Sequence, residues 1–306
     1  MLDYAALSAL AAVVREGSFE RAAQVLHVTP SAVSQRIRAL EERMGSALVV
    51  RAQPCRATEA GRRLCQHVDR VALMEQDLRG DLPTLAALTR DGRTRVPLPV
   101  AVNADSLASW FAPALAAYAA DAPVLVQVAV DDQDHTAEWL RTGQVLAAVT
   151  SAARPPAGCN GQPLGAMRYR AAATPAFMAR HFAAGVNAGA LARAPSLVFD
   201  LKDELQARWV RRQCRRPIEL PRHMLPSAQA FVVAALAGMG WGLHEEGLVA
   251  AHLRSGRLVE LVPDTPLDVP LYWQHARAAS GLLQQLTAAV LAGARQALRP
   301  TRPART

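Results

Sequence analysis

The chain has no run of about 18 uncharged apolar residues, so the sequence predicts no transmembrane helix and no membrane partner. Its start lacks the basic residues of an export signal. Asp3 stands there, and the apolar run that follows reads as an amphipathic helix, which predicts a cytoplasmic location. Cysteine is scarce. Cys55, Cys65, Cys159 and Cys214 have no metal-like pair spacing and read as free thiols of a reducing compartment. Lysine is almost missing: of 34 basic residues only Lys202 is a lysine, so the net charge of +8 is carried by arginine. That bias reflects composition as much as function. No G-x-S-x-G elbow, P-loop or dinucleotide turn is present. Asp134-His135 has no spaced partner set for a metal. Gly238-Met239-Gly240-Trp241-Gly242 lacks a phosphate-cradle context and reads as a turn. The sequence therefore points away from an enzyme, with no catalytic residue, metal or cofactor assigned.

What is there begins at the N-terminus. With 51% hydrophobic residues, 306 residues can build two domains or more. The first helix runs from about Tyr4 to Arg15, with Leu7, Leu10 and Val14 on one stripe and Gly17 as its stop. Ser18 caps the next helix, whose inner face is Ala22, Ala23 and Leu26. Thr29 caps a third that starts with Pro30 or Ser31. Val33, Ile37 and Leu40 share its inner face, with Met44 continuing it. Ser31, Gln35, Arg38 and Glu42 lie opposite, with Ser34 at the border. Those donors and acceptors suit base edges in a major groove, and Arg36 on the flank suits a phosphate. Ala47 to Val50 and Arg56 to Thr58 read as a two-stranded wing carrying Arg51 and Arg56. Residues 20–64 hold eight arginines against four carboxylates, enough for phosphate contact. The reading is a winged helix-turn-helix that binds double-stranded DNA.

Glu59 to about Arg79 reads as one long helix. Leu64, Val68, Val71 and Leu78 follow four-three spacing, with Glu75 interrupting and Met74 beside them. The stripe either packs on the winged domain or joins two chains, and the second is favoured because a dimer can engage two half-sites. Residues 80–96 read as a hinge. From residue 96 strands and helices alternate, which predicts an α/β unit with a largely parallel sheet. Leu98 to Val102, Val124 to Val130 and Val145 to Thr150 are its first strands. A second unit starts at Tyr169, and the chain returns through Leu271-Tyr272-Trp273. Two lobes crossed by return strands are the architecture of periplasmic binding proteins.

Ligands of open α/β sheets sit beyond the carboxyl ends of strands. That rule selects Asn103, Asp105, Ser106, Asp131, Asp132, His135, Thr150, Ser151, Phe199 and Asp200, with Ser227, Trp241 and Glu245 also assigned to the cleft. The helix starting at Ser106 offers free N–H groups to a carboxylate. Residues 97–150 contain six carboxylates and one arginine, which favours a cation. Together they suit an amino acid with a basic side chain. A plain alternative stands beside this: the carboxylates are solvated and Asp105 only caps its helix. The 208–222 segment carries six arginines opposed only by Glu219 and reads either as a solvated face or as a second nucleic-acid patch.

Ser18-Phe19…Ala22-Ala23…Leu26…Ser31…Val33-Ser34…Ile37…Leu40-Glu41…Gly45…Leu48…Arg51…Thr58-Glu59…Gly61 resembles the signature of LysR-type transcriptional regulators. Further stretches resemble the branch of that family that senses lysine and arginine. They are Asn103 to Leu107, Asp131 to Thr136, Pro163 to Tyr169, Phe199-Asp200, Pro226-Ser227…Phe231, Gly240-Trp241-Gly242 and Val269 to Trp273. The resemblance implies a homodimer or homotetramer, lysine or arginine as effector, an amino-acid exporter gene as target, and RNA polymerase as a further partner. It leaves room for another small-molecule effector, or for an effector-independent DNA binder in replication control. Pro30 and His244-Glu245 depart from the branch's usual glutamine and proline; Glu245 would then add a carboxylate to the cleft. The expected organisation is a winged domain over 1–58, a linker over 59–96 and a sensor over 97–299, followed by a disordered tail over 300–306. Lobe I spans about 97–166 and 267–299, and lobe II about 167–266. The Arg/Pro-rich segment after Gln296 is expected to lack structure from there on.

Overall fold

Asp3 sets the start of helix α1 (Tyr4–Glu16), because its carboxylate accepts the N–H groups of Ala5 and Ala6 at 3.0 and 3.1 Å. Gly17, at φ 67°, ends it in the left-handed region that glycine adopts freely. Ser18 caps α2 (Phe19–Val25), and the Ser18 hydroxyl donates to the Glu20 carboxylate at 2.6 Å. Thr29 caps α3 (Pro30–Met44) by accepting from Ala32 N–H at 3.2 Å, with Pro30 in the first turn. Leu7, Leu10 and Val13 of α1, Ala22 and Ala23 of α2, and Val33, Ile37 and Leu40 of α3 form one core. Val14, expected on the stripe, is only partly buried. Met44, expected to extend the α3 face, is 45% exposed. The chain reverses at Gly45, and Leu48 fills the core place instead.

The wing pairs β1 (Val49–Val50) with β2 (Arg56–Ala57), antiparallel. The Glu41 carboxylate steers the chain into β1 by accepting from the N–H groups of Leu48 and Val49 at 2.8 and 3.2 Å. Thr58 opens α4 (Glu59–Asp81): its hydroxyl donates to Ala47 O at 2.9 Å and accepts from Gly61 N–H at 3.1 Å. Leu64, Cys65 and Val68 of α4 pack on the winged core, and Arg15 pairs with Asp69 at 3.2 Å. Burial pushes the Cys65 thiol up to about 11. Further along α4, Met74 and Leu78 are 58% and 50% exposed. The expected seam is thus divided: its first half serves the winged core, and these two apolar side chains stay outside it.

The computed structural model describes residues 2–81, 97–121, 125–131, 136–279, 281 and 283–300. It separates into two units, Met1–Val96 and Pro97–Thr306. In the second, β3 (Leu98–Asn103) runs parallel to β4 (Val126–Asp131) and β5 (Ala147–Thr150). Helix α5 follows β3 as a first turn Ala104–Ser106, a π-helical stretch Leu107–Phe111 and a regular segment Ala112–Asp121. It starts two residues before the expected Ser106. α6 (Thr136–Arg141) leads into β5. Then one long strand, β6 (Cys159–Ala173), leaves lobe I for lobe II, and β11 (Leu267–Ala276) returns beside it, antiparallel.

Lobe II lies between those two strands in the chain. It contains α7 (Pro175–His181), α8 (Ala188–Leu191), β7 (Ser196–Val198), α9 (Leu205–Cys214) and β8 (Arg222–Met224). α10 (Ala228–Leu236), β9 (Gly242–Glu245), α11 (Glu246–Arg254) and β10 (Val259–Glu260) complete it. β9 and β10 both pair antiparallel with β6, and β7 pairs parallel with β8. The sheet is therefore mixed rather than largely parallel, because the strands that cross between lobes must run in opposite directions. α12 (Gln284–Ala297) closes lobe I, and Arg299 then exchanges two backbone hydrogen bonds with Ala166 at 2.7 and 2.9 Å. Structure thus continues past Gln296, while the 301–306 part of the expected tail and the 82–96 part of the hinge lie outside the described residues.

A Cβ added at Gly61 would fall 2.0 Å from Leu48 O, a backbone atom that cannot swing away. Gly61→Ala is expected to destabilise the winged unit by about 2–3 kcal/mol, read as a lowered denaturation midpoint. An unchanged midpoint would contradict this packing.

Candidate functional site

The outer face of α3 presents Ser31, Gln35 and Arg38 exposed and Ser34 partly exposed, opposite buried Val33, Ile37 and Leu40. Thr29 is exposed at the helix start, its hydroxyl 2.9 Å from that of Ser31. Arg36 is partly buried on the flank. Arg51 and Arg56 are exposed on the wing, and the Arg51 guanidinium lies 5.3 Å from the Phe19 ring centre. That cation–π stack holds a charge in place without neutralising it. Wing and helices are locked together at Gly17, where Cys55 N–H donates to Gly17 O at 2.8 Å. The structure therefore brings every residue assigned to DNA from the sequence onto one unit, with polar α3 and the arginine wing outward.

In the sensor, Tyr169 lies on β6, fully buried, and donates its hydroxyl to the Asp105 carboxylate at 2.9 Å. Burial pushes this phenol well above its ordinary range, and the charges of Asp105, Asp203 and Glu245 add to the rise. Asp105 of lobe I thus meets this phenol directly, and Glu245 of lobe II stands opposite Tyr169 in the β6–β9 ladder. Asp105 does not cap its helix, whose N-cap position is held by Asn103. Burial also raises Asp203 and Glu245. Asp203 accepts from Phe199 N–H and Leu205 N–H at 2.9 and 3.0 Å, which fixes the loop after β7. Glu245 accepts from Gly247 and Leu248 N–H at 2.9 and 2.8 Å, so this expected cleft carboxylate is also the cap of α11.

Asn103, Ser106 and Thr150 are buried at the strand ends, and Ser151 is partly buried beside them. The Ser106 hydroxyl is fully buried and has no hydrogen-bond partner among the described residues. Phe199 and Asp200 are partly buried, and Asp200 accepts from Lys202 and Asp203 N–H at 2.7 and 3.0 Å. Ser227 is exposed and caps α10. Trp241 is fully buried against Trp209, ring centres 5.6 Å apart, and so belongs to the lobe II core rather than to a ligand surface. Asp132 and His135 lie outside the described residues, as does the side chain of Asp131 at the end of β4. Sequence reasoning does not single out Tyr169 or Asp203. Tyr169 ends the Pro163 to Tyr169 stretch, but its partner Asp105 is 64 residues away.

Successive residues of a strand face opposite ways. Arg168 and Arg170 therefore lie on the face of β6 opposite Tyr169. Arg168 pairs with Asp268 at 2.7 Å, and Arg170 with Glu246 and Glu260 at 2.7 and 3.0 Å. Arg299 reaches Glu246 at 2.9 Å. A groove of about 1290 Å³ opens on this side, bordered by Trp110, Arg170, Glu246 and Arg299. Of the cleft residues expected from the sequence only Glu245 borders it, and its Arg168, Arg170 and Arg299 are already matched by carboxylates.

A winged helix followed by a two-lobed α/β sensor is the build of a ligand-responsive transcription regulator. The family description "Bacterial regulatory helix-turn-helix protein, lysR family" matches residues 4–62, and "LysR substrate binding domain" matches residues 91–295. The chain belongs to the LysR family of bacterial regulators. It is 46% identical over 287 residues to the transcriptional regulator ArgP of Pseudomonas fluorescens, covering 94% of each chain. Among solved structures it is similar to ArgP from Mycobacterium tuberculosis, at 44% identity and TM-score 0.80, covering 98% of this chain and all of that one. It is also similar to full-length LysG from Corynebacterium glutamicum with bound effector Arg, at 38% identity and TM-score 0.68 over 98% of this chain and all of that one. These relatives are regulators of transcription and not enzymes. Among the described residues no helix is long and apolar enough to cross a membrane.

His244, buried on β9 against the Phe231 ring, has its pKa lowered by burial to about 4. The unfolded chain then binds one more proton between about pH 6.5 and 4, so stability falls as pH drops through that window by about 1.4 kcal/mol per unit. Denaturation midpoints against pH should show this slope, and His244→Gln should flatten it. An equal slope in both proteins would contradict the assignment.

Proposed function

We propose that the sensor unit binds a basic amino acid, lysine or arginine, and that binding changes how the winged unit engages its operator. The observation that supports this most directly is the Asp105 carboxylate on the buried Tyr169 hydroxyl, with Glu245 opposite Tyr169 in the β6–β9 ladder. Carboxylates gathered in a buried site favour a cation, and a guanidinium or ammonium beside Asp105 meets that demand. The effector's own carboxylate then fits the first turn of α5, where the N–H groups of residues 104–106 and the helix dipole favour an anion. The Ser106 hydroxyl gains a partner in the same event. The bound arginine of the Corynebacterium glutamicum LysG supports the same effector class. Asn103, Thr150, Ser151, Phe199 and Asp200 complete the proposed pocket, and Asp131, Asp132, His135 and Ser227 are assigned to the effector from the sequence alone.

On the DNA side, Ser31, Ser34, Gln35 and Arg38 read bases, while Thr29, Arg36, Arg51 and Arg56 hold phosphates. The working form is a homodimer or homotetramer in the cytoplasm, with exposed Met74 and Leu78 of α4 turned to a second copy. The target is an amino-acid exporter gene, transcribed by RNA polymerase. The effector acts only through unequal affinity for two arrangements of the oligomer.

Thermal denaturation against the twenty amino acids, one at a time, tests the effector. At about 100-fold excess over Kd, lysine or arginine should stabilise the protein by roughly 2.7 kcal/mol. Asp105→Asn should remove about half of that shift or more, with affinity reduced about 10- to 100-fold. A shift confined to other amino acids would overturn the proposal. On DNA, Gln35→Ala should relax sequence preference, whereas Arg51→Ala should weaken all sequences about equally, by roughly 1 kcal/mol. Binding measured on an operator and a scrambled duplex separates the two, and a change of base preference in the Arg51 variant would refute its phosphate role.

A further inference from the structure

Helix α9 buries Leu205, Gln206, Trp209 and Val210 in lobe II. At 100° per residue, Arg208 and Arg211 share the opposite side, and Arg215, the left-handed cap at φ 53°, and Arg216 follow the end of the helix. Arg211, Arg215 and Arg216 are exposed and Arg208 is partly so. Arg212 lies at the flank and is tied to Pro266 O at 2.9 Å. Among the described residues, no carboxylate lies within ion-pair distance of Arg208, Arg211, Arg215 or Arg216, although Glu204 and Glu219 are close in sequence. Among the other sensor arginines Arg141, Arg168, Arg170 and Arg299 are matched by carboxylates, whereas the exposed Arg154, Arg180, Arg193 and Arg295 have no ion pair among the described residues.

A row of like charges at helical spacing repels itself and lowers stability. Exposed arginines need no internal partner, but four of them close together in the chain without a carboxylate partner are complementary to a polyanion. From Arg208 to Arg211 the backbone advances about 4.5 Å along the helix axis. Planar guanidinium forks presented in a row match phosphate oxygens bidentately. The same chain carries a winged helix of a DNA-binding family, so duplex DNA is the polyanion it meets. We propose that the arginine face of α9 is a second, sequence-independent contact to the DNA backbone, made by the sensor unit and separate from the recognition helix. Its ligand is the phosphodiester chain itself, so it adds affinity and salt dependence without adding base preference.

The test uses the full-length chain and a mixed-sequence duplex of about 60 base pairs, with affinity followed by fluorescence anisotropy between about 50 and 200 mM salt. Changing Arg208, Arg211, Arg215 and Arg216 together to alanine should lower the slope of log K against log salt by about 0.9 for each phosphate that is no longer neutralised. The four-lysine variant should keep most of the slope. A charge-matched variant at four other exposed arginines, Arg154, Arg180, Arg193 and Arg295, should keep all of it. The double variant R211A/R216A, confined to exposed side chains, should show a smaller decrease in the same direction. An unchanged slope in the α9 variants would overturn the proposal and leave the face to an acidic protein partner. An equal decrease in the charge-matched variant would also overturn it, because net charge alone would then account for the effect.

Discussion

Two antiparallel strands carry the sensor unit. β6 and β11 are paired from Leu267↔Tyr169 to Ala276↔Cys159, with one register shift between Leu271 and Tyr272. Everything in lobe II hangs from them, because the chain enters it on β6 and leaves it on β11. A ladder of this length fixes which residue meets which, since a slip of one position would turn every side chain to the other face. It therefore determines that Tyr169 faces the carboxylates while Arg168 and Arg170 face away. Asp105 arrives from the end of β3 and Glu245 from β9, whose own pairing puts it opposite Tyr169.

The two faces of β6 have opposite electrostatic logic. On one, Arg168 and Arg170 are matched by Asp268, Glu246 and Glu260, and the Arg299 guanidinium joins the same network. Glu246 and Asp268 are held below the usual carboxylate range chiefly by hydrogen bonds from these arginines, against an opposing burial effect. On the other face, Asp203 and Glu245 are raised because burial outweighs the backbone N–H groups they accept from. The first face is internally balanced. The second carries Asp105 on the Tyr169 hydroxyl and Glu245 opposite it, with no arginine of β6 on that side.

Local features are legible in the sequence. Ser18, Thr29, Ser227, Gly17 and Gly45 all cap or end helices as their residue types demand, because a cap depends on neighbours one to three positions away. The exposure of Met44 is not legible, since it depends on where Leu48 packs after the turn. Nor is the first part of β6, where Gly161, Pro163 and Gly165 read as breakers; pairing with β11 overrides them. The strand-end rule finds Asp105, and the departure at His244-Glu245 draws attention to Glu245, but neither reveals their surroundings. One binds Tyr169 and the other caps α11. Trp241 shares a glycine-rich turn with residues near the cleft, and only the packing against Trp209 shows that it is core.

The direct measurement is a crystal structure of the full-length protein grown with arginine. The guanidinium is expected in contact with the Asp105 carboxylate near Tyr169, and the effector carboxylate against the N–H groups at the start of α5. Arginine bound the other way round, or seated in the groove beside Arg170 and Arg299, would contradict the proposed pocket.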